Sequence, residues 1–460
     1  MTRDVTSRDV CTDGWHSLPS AAMEPSRLRP VRARYRALSL VCASLLMTGC
    51  KAREHRDCPA TDEACQPSRS EPGPATGRST RVAPLGDGHL VAVTAASTPG
   101  TVRVVIFAAD GAVRADVALM PPVVASGPRA AADPTWPAIA VRHGAIHVAW
   151  HDPLGGRLLH AVGGVASGLR ETDGSRPLAL AFGPPTVVDG EAGAAAGSHT
   201  ALAIDDTGRV HLAYRHDARR ALAYATRPAA TDDVPSPPWR RELVPSCDTL
   251  LSCAKEGDDY GTFPAIALVP GGDGLAQPRI AFHDVARGDL RLAASYGDGR
   301  WAVTTLDGTD PVTGEDTGNV GAFASLALTP GRSLAVVYHD ATAGTLRALT
   351  PGEPPRVLDD GRWTTADGRE LQRAVGQFAR LAITDNGVWH VVHLEADGPR
   401  WRYLKLAGER VTVAADLDGL PPGGWLDLAA EGDGLIGAYG AFTTPGSLAT
   451  ALRWFEVPAR

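Results

Sequence analysis

The chain has 460 residues, 44% of them hydrophobic, enough to bury a sizeable core, and a length prior of ~150 residues per domain would suggest about three domains. Its 50 Gly and 36 Pro exceed the usual share of about 12% but stay below the ~25–30% typical of disordered chains, which fits a fold with many tight turns. The formal net charge is −7 and no basic stripe is present, which argues against nucleic acid as a partner.

Residues 1–22 read as neither signal nor domain, and Met23 begins a more typical signal length, so Met23 is the expected true start. Arg27, Arg29, Arg32, Arg34 and Arg36 follow, with no acid among them, and then the apolar run Ala37–Met47. Eleven residues are too few to cross a bilayer, which takes ~20 as a helix, but they match a signal core of ~7–15 behind a positive segment. Residues 1–49 are therefore expected to be a leader, and without them the remaining charge is near −10. No adjacent arginine pair points to twin-arginine export.

The run ends in Met47-Thr48-Gly49-Cys50, and small residues before a cysteine resemble the bacterial lipobox. Met47 stands where Leu is usual, although Leu46 precedes it. The resemblance implies a diacylated Cys50 as mature N-terminus, held in the membrane by about 0.8 kcal/mol per buried CH2. Lys51 in place of Asp implies, by the same resemblance, the outer membrane of a Gram-negative bacterium. The alternatives are an ordinary signal peptide with a chance cysteine and an internal helix.

Beyond the leader's Cys11 and Cys42, and with Cys50 lipidated, four cysteines remain. They form two close pairs, and an oxidising compartment permits Cys58–Cys65 and Cys247–Cys253 bridges. Metal binding is the alternative, but no Cys-x-x-Cys spacing exists. Residues 50–78 are polar and rich in Pro, Ser and Gly, cannot bury a core, and read as a flexible tether.

Residues 79–460 repeat. Trp136–Val141 leads to Ile146–Asp152 and Arg157–His160, and His199–Ile204 leads to Val210–Asp217 and Ala221–Tyr224. Copies begin at Phe263, Phe323, Phe378 and Trp425, with a weaker first copy at Thr80. Each copy alternates apolar and polar residues over short runs broken at Gly or Asp-Gly, as strands and hairpins do. A fourth strand shows at Val113–Ala118, Trp239–Val244, Trp301–Leu306 and Arg410–Ala414. Seven such units at this period predict an all-β fold, a β-propeller of about seven four-stranded blades, with six blades as runner-up and a pair of β-sandwiches third. The last unit has little chain for a fourth strand, which residues just before Thr80 could supply.

The repeat resembles the sialidase-like and related bacterial lipoprotein propellers over residues 80–460, in architecture only. No Ser-x-Asp-x-Gly-x-Thr-Trp box and no Trp-Asp dipeptide occurs, and a sialidase arginine cluster cannot be assigned. A catalytic set is likewise absent: no nucleophile elbow, zinc-protease helix or phosphate loop appears.

The most visible repeated pair is His-Asp at the end of the second strand: His151-Asp152, His216-Asp217, His283-Asp284 and His339-Asp340. Several histidines on one rim could bind metal, but Asp after a strand ordinarily bonds turn amides, and the pair reads as structural. His147, His211 and His390 are expected to pack within sheets. Two acidic loops, with Glu256, Asp258 and Asp259 and with Glu315 and Asp316, offer oxygen ligands to calcium, against a solvated turn as the plainer reading. Tyr260, Trp363 and Trp389 could form a sugar-stacking surface or serve as packing. The expectation is a monomeric, membrane-anchored protein whose propeller binds a ligand or protein partner without catalysis. A glycan-active hydrolase or lyase and an envelope scaffold are the alternatives.

Overall fold

The chain divides into two units, Met1–Pro67 and Ser68–Arg460. The computed structural model describes residues 80–455 of the second, apart from 97, 110, 123–134, 167–176, 191–193, 231–236, 247–257, 272–274, 298, 311–312, 365–366, 396–399, 409, 418–424 and 443–449. The expected leader, the tether and Cys50, Cys58, Cys65, Cys247, Cys253 and Glu256 lie outside the described residues, as does the stretch expected to complete the last sheet.

The fold is a β-propeller. Six blades have the full four-strand order, the count of the runner-up expectation, and each is an antiparallel meander. Their innermost strands are Thr80–Gly86, Ala138–Arg142, Ser198–Ile204, Tyr260–Pro270, Val320–Leu328 and Gln377–Ile383 for blades 1 to 6. A seventh, three-stranded sheet begins with Trp425–Glu431, whose neighbours are the inner strands of blades 6 and 1. These starts fall within three residues of the repeat starts at 80, 136, 199, 263, 323, 378 and 425. In blade 2 the outermost position is filled by two short strands, Leu180–Phe182 and Thr186–Asp189, each pairing with one half of Arg157–Val165. A two-stranded hairpin, Arg362–Thr364 with Glu370–Gln372, stands between blades 5 and 6.

Alternating side chains put apolar residues on both faces of every blade, so the core is not one cluster but seven, one between each pair of neighbouring sheets. Trp150, Tyr214, Phe282 and Tyr338 occupy one register position in the second strands of blades 2 to 5, all at 0% exposure. The polar tips of Trp150, Tyr214 and Tyr338 reach back to the preceding blade. The Trp150 indole donates to the Gly100 carbonyl at 2.8 Å, Tyr214 to Asp189 at 2.5 Å and Tyr338 to Asp307 at 2.6 Å. Blade 6 carries His393 there, against Asp359 at 3.2 Å, and Arg402 joins the same carboxylate at 2.6 Å. These polar latches sit inside apolar interfaces and pin the blades in one register.

At the seam, the Val82 amide of blade 1 donates to Asp427 of the seventh sheet at 2.9 Å, and Arg380 of blade 6 lies 3.4 Å from the same carboxylate. Burial pushes the Arg380 guanidinium down to about 9, with repulsion from Arg81 adding to it and Asp427 opposing.

Candidate functional site

Antiparallel pairing brings the start of every inner strand beside the end of the second strand, as in the registers Tyr260↔Asp284 and Val320↔Asp340. The aromatic residues that open the repeats, the His-Asp turns and both acidic loops therefore share one end of the ring.

At that end Trp136, His199, Phe263, Phe323 and Phe378 have left-handed backbones, with φ between 43° and 56°. Non-glycine residues pay about 1–2 kcal/mol for this conformation, so the surrounding structure must impose it. The imposing feature in blades 3 to 6 is a glycine two positions earlier. Gly261 has φ of 90°, and a Cβ there would stand 2.5 Å from the Leu222 backbone of the preceding blade. The pairing register slips just past these glycines, and such bulges re-aim side chains.

The re-aimed rings converge on the propeller axis. Trp136 stacks on His199 with centroids 4.0 Å apart and also meets Phe263, two blades on, at 6.2 Å. His199–Phe263, Phe263–Phe323 and Phe323–Phe378 follow at 4.5, 4.4 and 4.3 Å. All five side chains are half-buried, so the collar keeps an accessible face.

Around the collar stand His151, Arg215, His283 and His339. Burial, then Arg215, His151 and His283, push the His199 imidazole down to about 3, so it is neutral at physiological pH. Burial also lowers His283 and His339. His283 is held between Thr262 at 3.2 Å and Asn319 at 2.9 Å, and the His339 Nδ1–H donates to the Val375 carbonyl at 2.8 Å.

Of the repeated Asp residues, Asp152, Asp284 and Asp340 are at 0% exposure and accept the turn amides of Leu154, Arg287 and Ala343. Each also holds an arginine: Arg157 at 2.6 Å, Arg287 and Arg291 at 3.0 and 3.1 Å, and Arg347 at 2.6 Å. Burial raises the Asp284 carboxyl despite its two guanidiniums. The arginines were not legible as partners, because they lie three to seven residues on in no common string.

Blade 3 departs from the pattern. His216 pairs with Ala221 across the turn, as Asp284 does with Asp289, so it occupies the Asp position and Asp217 falls one residue later. Arg215 takes the histidine position and binds Asp259 at 2.6 Å. Asp259 also holds Arg220 at 2.5 Å, and Asp258 takes Ser246 at 2.9 Å and Arg287 at 3.2 Å, so the two described acids of the first loop face arginine. Glu315 and Asp316 are exposed, and Asp316 accepts the Gly318 amide. Among the described residues no group of three or more His, Cys, Asp or Glu is placed to hold a metal.

Tyr260 and Trp389 are core residues at 9% and 8% exposure, packed in separate inter-blade clusters, and not a stacking surface. His211 and His390 pack within sheets as expected, each 2.6–2.7 Å from a tyrosine hydroxyl, of Tyr224 and Tyr403.

No family model and no curated protein matches the chain. Among solved structures it is similar to a puromycin hydrolase (18% identity, TM-score 0.43, 88% of this chain), of which it spans only 56%. It is also similar to polysaccharide lyase Uly1 (10% identity, TM-score 0.38, 70% of this chain and 81% of that one). A third is the fucose-specific lectin from Aleuria aurantia (11% identity, TM-score 0.39, 70% of this chain and 96% of that one). Identities this low carry no ligand from one chain to the other.

Proposed function

We propose that the chain is an exported, lipid-anchored binding protein whose propeller takes the end of a saccharide at the axial mouth. The collar carries this reading: five half-buried rings from successive blades converge on the axis. Such rings offer apolar faces to the C–H face of a sugar, while Arg215, Thr262 and Asn319 around them supply polar groups for its hydroxyls. The neighbouring carboxylates Asp152, Asp284 and Asp340 are committed to arginines and turn amides, which favours binding over glycan hydrolysis or lysis. Repetition of the collar in five blades favours a second reading, a plug in an envelope scaffold.

A glycan array probed with the full chain separates the two. Retention of at least one glycan, lost tenfold or more in Trp136→Ala and Phe263→Ala with unchanged melting, is the expected result. No retention, or retention that ignores both substitutions, supports the plug. Anchoring is tested separately: Cys50→Ser should release the protein from membranes, and unchanged sedimentation with them would overturn it. Mass mapping without reduction should find Cys247 joined to Cys253.

A further inference from the structure

The opposite end of the ring carries a cavity of about 620 Å³ between blades 2 and 3, within the usual range for small-molecule sites. It is walled by His147 and His160 of blade 2 and by Arg227 of blade 3. His147 was expected to pack within its sheet like His211 and His390, and it does not end that way.

The three histidines share a register position, and each faces a residue thirteen positions on. In blades 3 and 6 that residue is a tyrosine, Tyr224 or Tyr403; in blade 2 it is His160. The consequences follow from which atoms can donate. In blade 3 the His211 Nε2–H points to Asp205 at 3.4 Å and Nδ1 accepts from Tyr224, so the chain of donors ends on a carboxylate. In blade 2 an Arg227 N–H, which can only donate, reaches His160 Nδ1 at 3.1 Å. His160 must then donate through Nε2 to His147 Nδ1, 3.2 Å away. His147, neutral because burial and Arg227 push it down to about 4, is left with its proton on Nε2 at the cavity wall.

Among the described residues no carboxylate receives that proton. The first turn of blade 2 is one residue shorter than that of blade 3 and has no counterpart of Asp205, whose place is taken by Arg142. Arg227 likewise has no carboxylate within ion-pair reach among the described residues; burial lowers it with no acid opposing, and its guanidinium lies 4.4 Å over Trp239. A half-buried cation and an unspent N–H thus converge where blade 3 supplies its own carboxylate.

We propose that this cleft binds a small organic monocarboxylate, held by the Arg227 guanidinium and the His147 Nε2–H. The remaining guanidinium on the wall, Arg142, is paired with Asp206, so one net cation faces the ligand and a phosphate dianion is poorly matched. Pro184, Pro228 and Ala229 provide an apolar wall for the rest of the molecule.

Calorimetric titration of the full chain tests this with glucuronate and benzoate against their neutral partners glucose and benzamide, and with inorganic phosphate. At least one carboxylate should saturate the protein, at least tenfold more tightly than its neutral partner and than phosphate. Arg227→Met, which keeps the stem over Trp239, should lower that affinity tenfold or more. His147→Phe, which removes the Nε2–H and keeps a ring at the wall, should do the same. Binding by neither carboxylate, equal binding of the neutral partner or of phosphate, or affinity that survives both substitutions would overturn the proposal.

Discussion

Between blades 3 and 4, His211 is closed off by Tyr224 and Asp205, and Trp301 lies edge-on to Tyr224 at 5.3 Å, with its indole donating to Glu242 at 3.2 Å. Between blades 2 and 3 the same positions hold His147, His160 and Trp239, again edge-on at 5.3 Å. The first cleft encloses about 140 Å³ and the second about 620 Å³. One plan thus gives a narrow cleft where His211 and Trp301 each find a carboxylate inside the chain, and a wide one where a few side chains have been exchanged. Repetition marks what a blade needs in order to fold; a departure at a repeated position marks where something else can be bound.

The largest effect should come from unsealing the closed cleft. Asp205 is 5% exposed and accepts the Thr207 and Arg209 amides at 2.9 Å, the Thr207 hydroxyl at 2.6 Å and His211. Asp205→Ala strands several of these donors, and stability should fall by about 3 kcal/mol in chemical denaturation. His143→Ala, in the corresponding turn of blade 2, removes an exposed side chain and should cost far less. Equal losses would mean that the two turns are not the contrast described.

Acid should separate the clefts next. A buried neutral histidine has its folded pKa below its unfolded value, so its contribution is complete above 6.5 and is lost as pH falls toward the folded value. For His147, lowered to about 4, the loss at pH 5 is up to about 2 kcal/mol, and His160, lowered by burial, then His147 and Arg227, adds in the same direction. Of the two histidines held neutral in this cleft, His160→Tyr leaves one, His147. Its melting temperature should therefore drop less than that of the parent between pH 7 and pH 5; parallel curves would show that the pair is not held neutral.

Much of the ring could be read from residues alone, because a blade states its needs several times. The inner strands of blades 3 to 6 were marked by the repeat starts at His199, Phe263, Phe323 and Phe378, and the second strands of blades 2 to 5 by the run into Asp. What the repeated string could not convey was geometry that depends on distant partners. The collar's convergence needs a left-handed backbone at Trp136 and Phe263. The Asp–Tyr latches join residues 25 and 31 positions apart. In blade 3 the string His216-Asp217 matched by letter but stands one place out of register. The split outer strand of blade 2 is too short, at three and four residues, to show alternation. The open cleft was least legible of all: His160 looks like any strand histidine until Arg227, 67 residues on, reaches it.

The two tryptophans offer the finest discrimination. Trp301 is 3% exposed, and its indole N–H has an acceptor in Glu242. The Trp239 indole nitrogen is buried with no partner among the described residues, so its desolvation is uncompensated. Trp301→Phe removes a bond and leaves Glu242 without its donor, at about 1–2 kcal/mol including lost ring volume. Trp239→Phe removes an unsatisfied group and keeps a ring under Arg227, so the relieved desolvation offsets the smaller contact and stability should change by less than about 0.5 kcal/mol. Thermal melts of the two variants measure the difference directly. If Trp239→Phe costs as much as Trp301→Phe, the indole of the open cleft is satisfied after all, and the contrast between the clefts narrows to the histidine pair and Arg227.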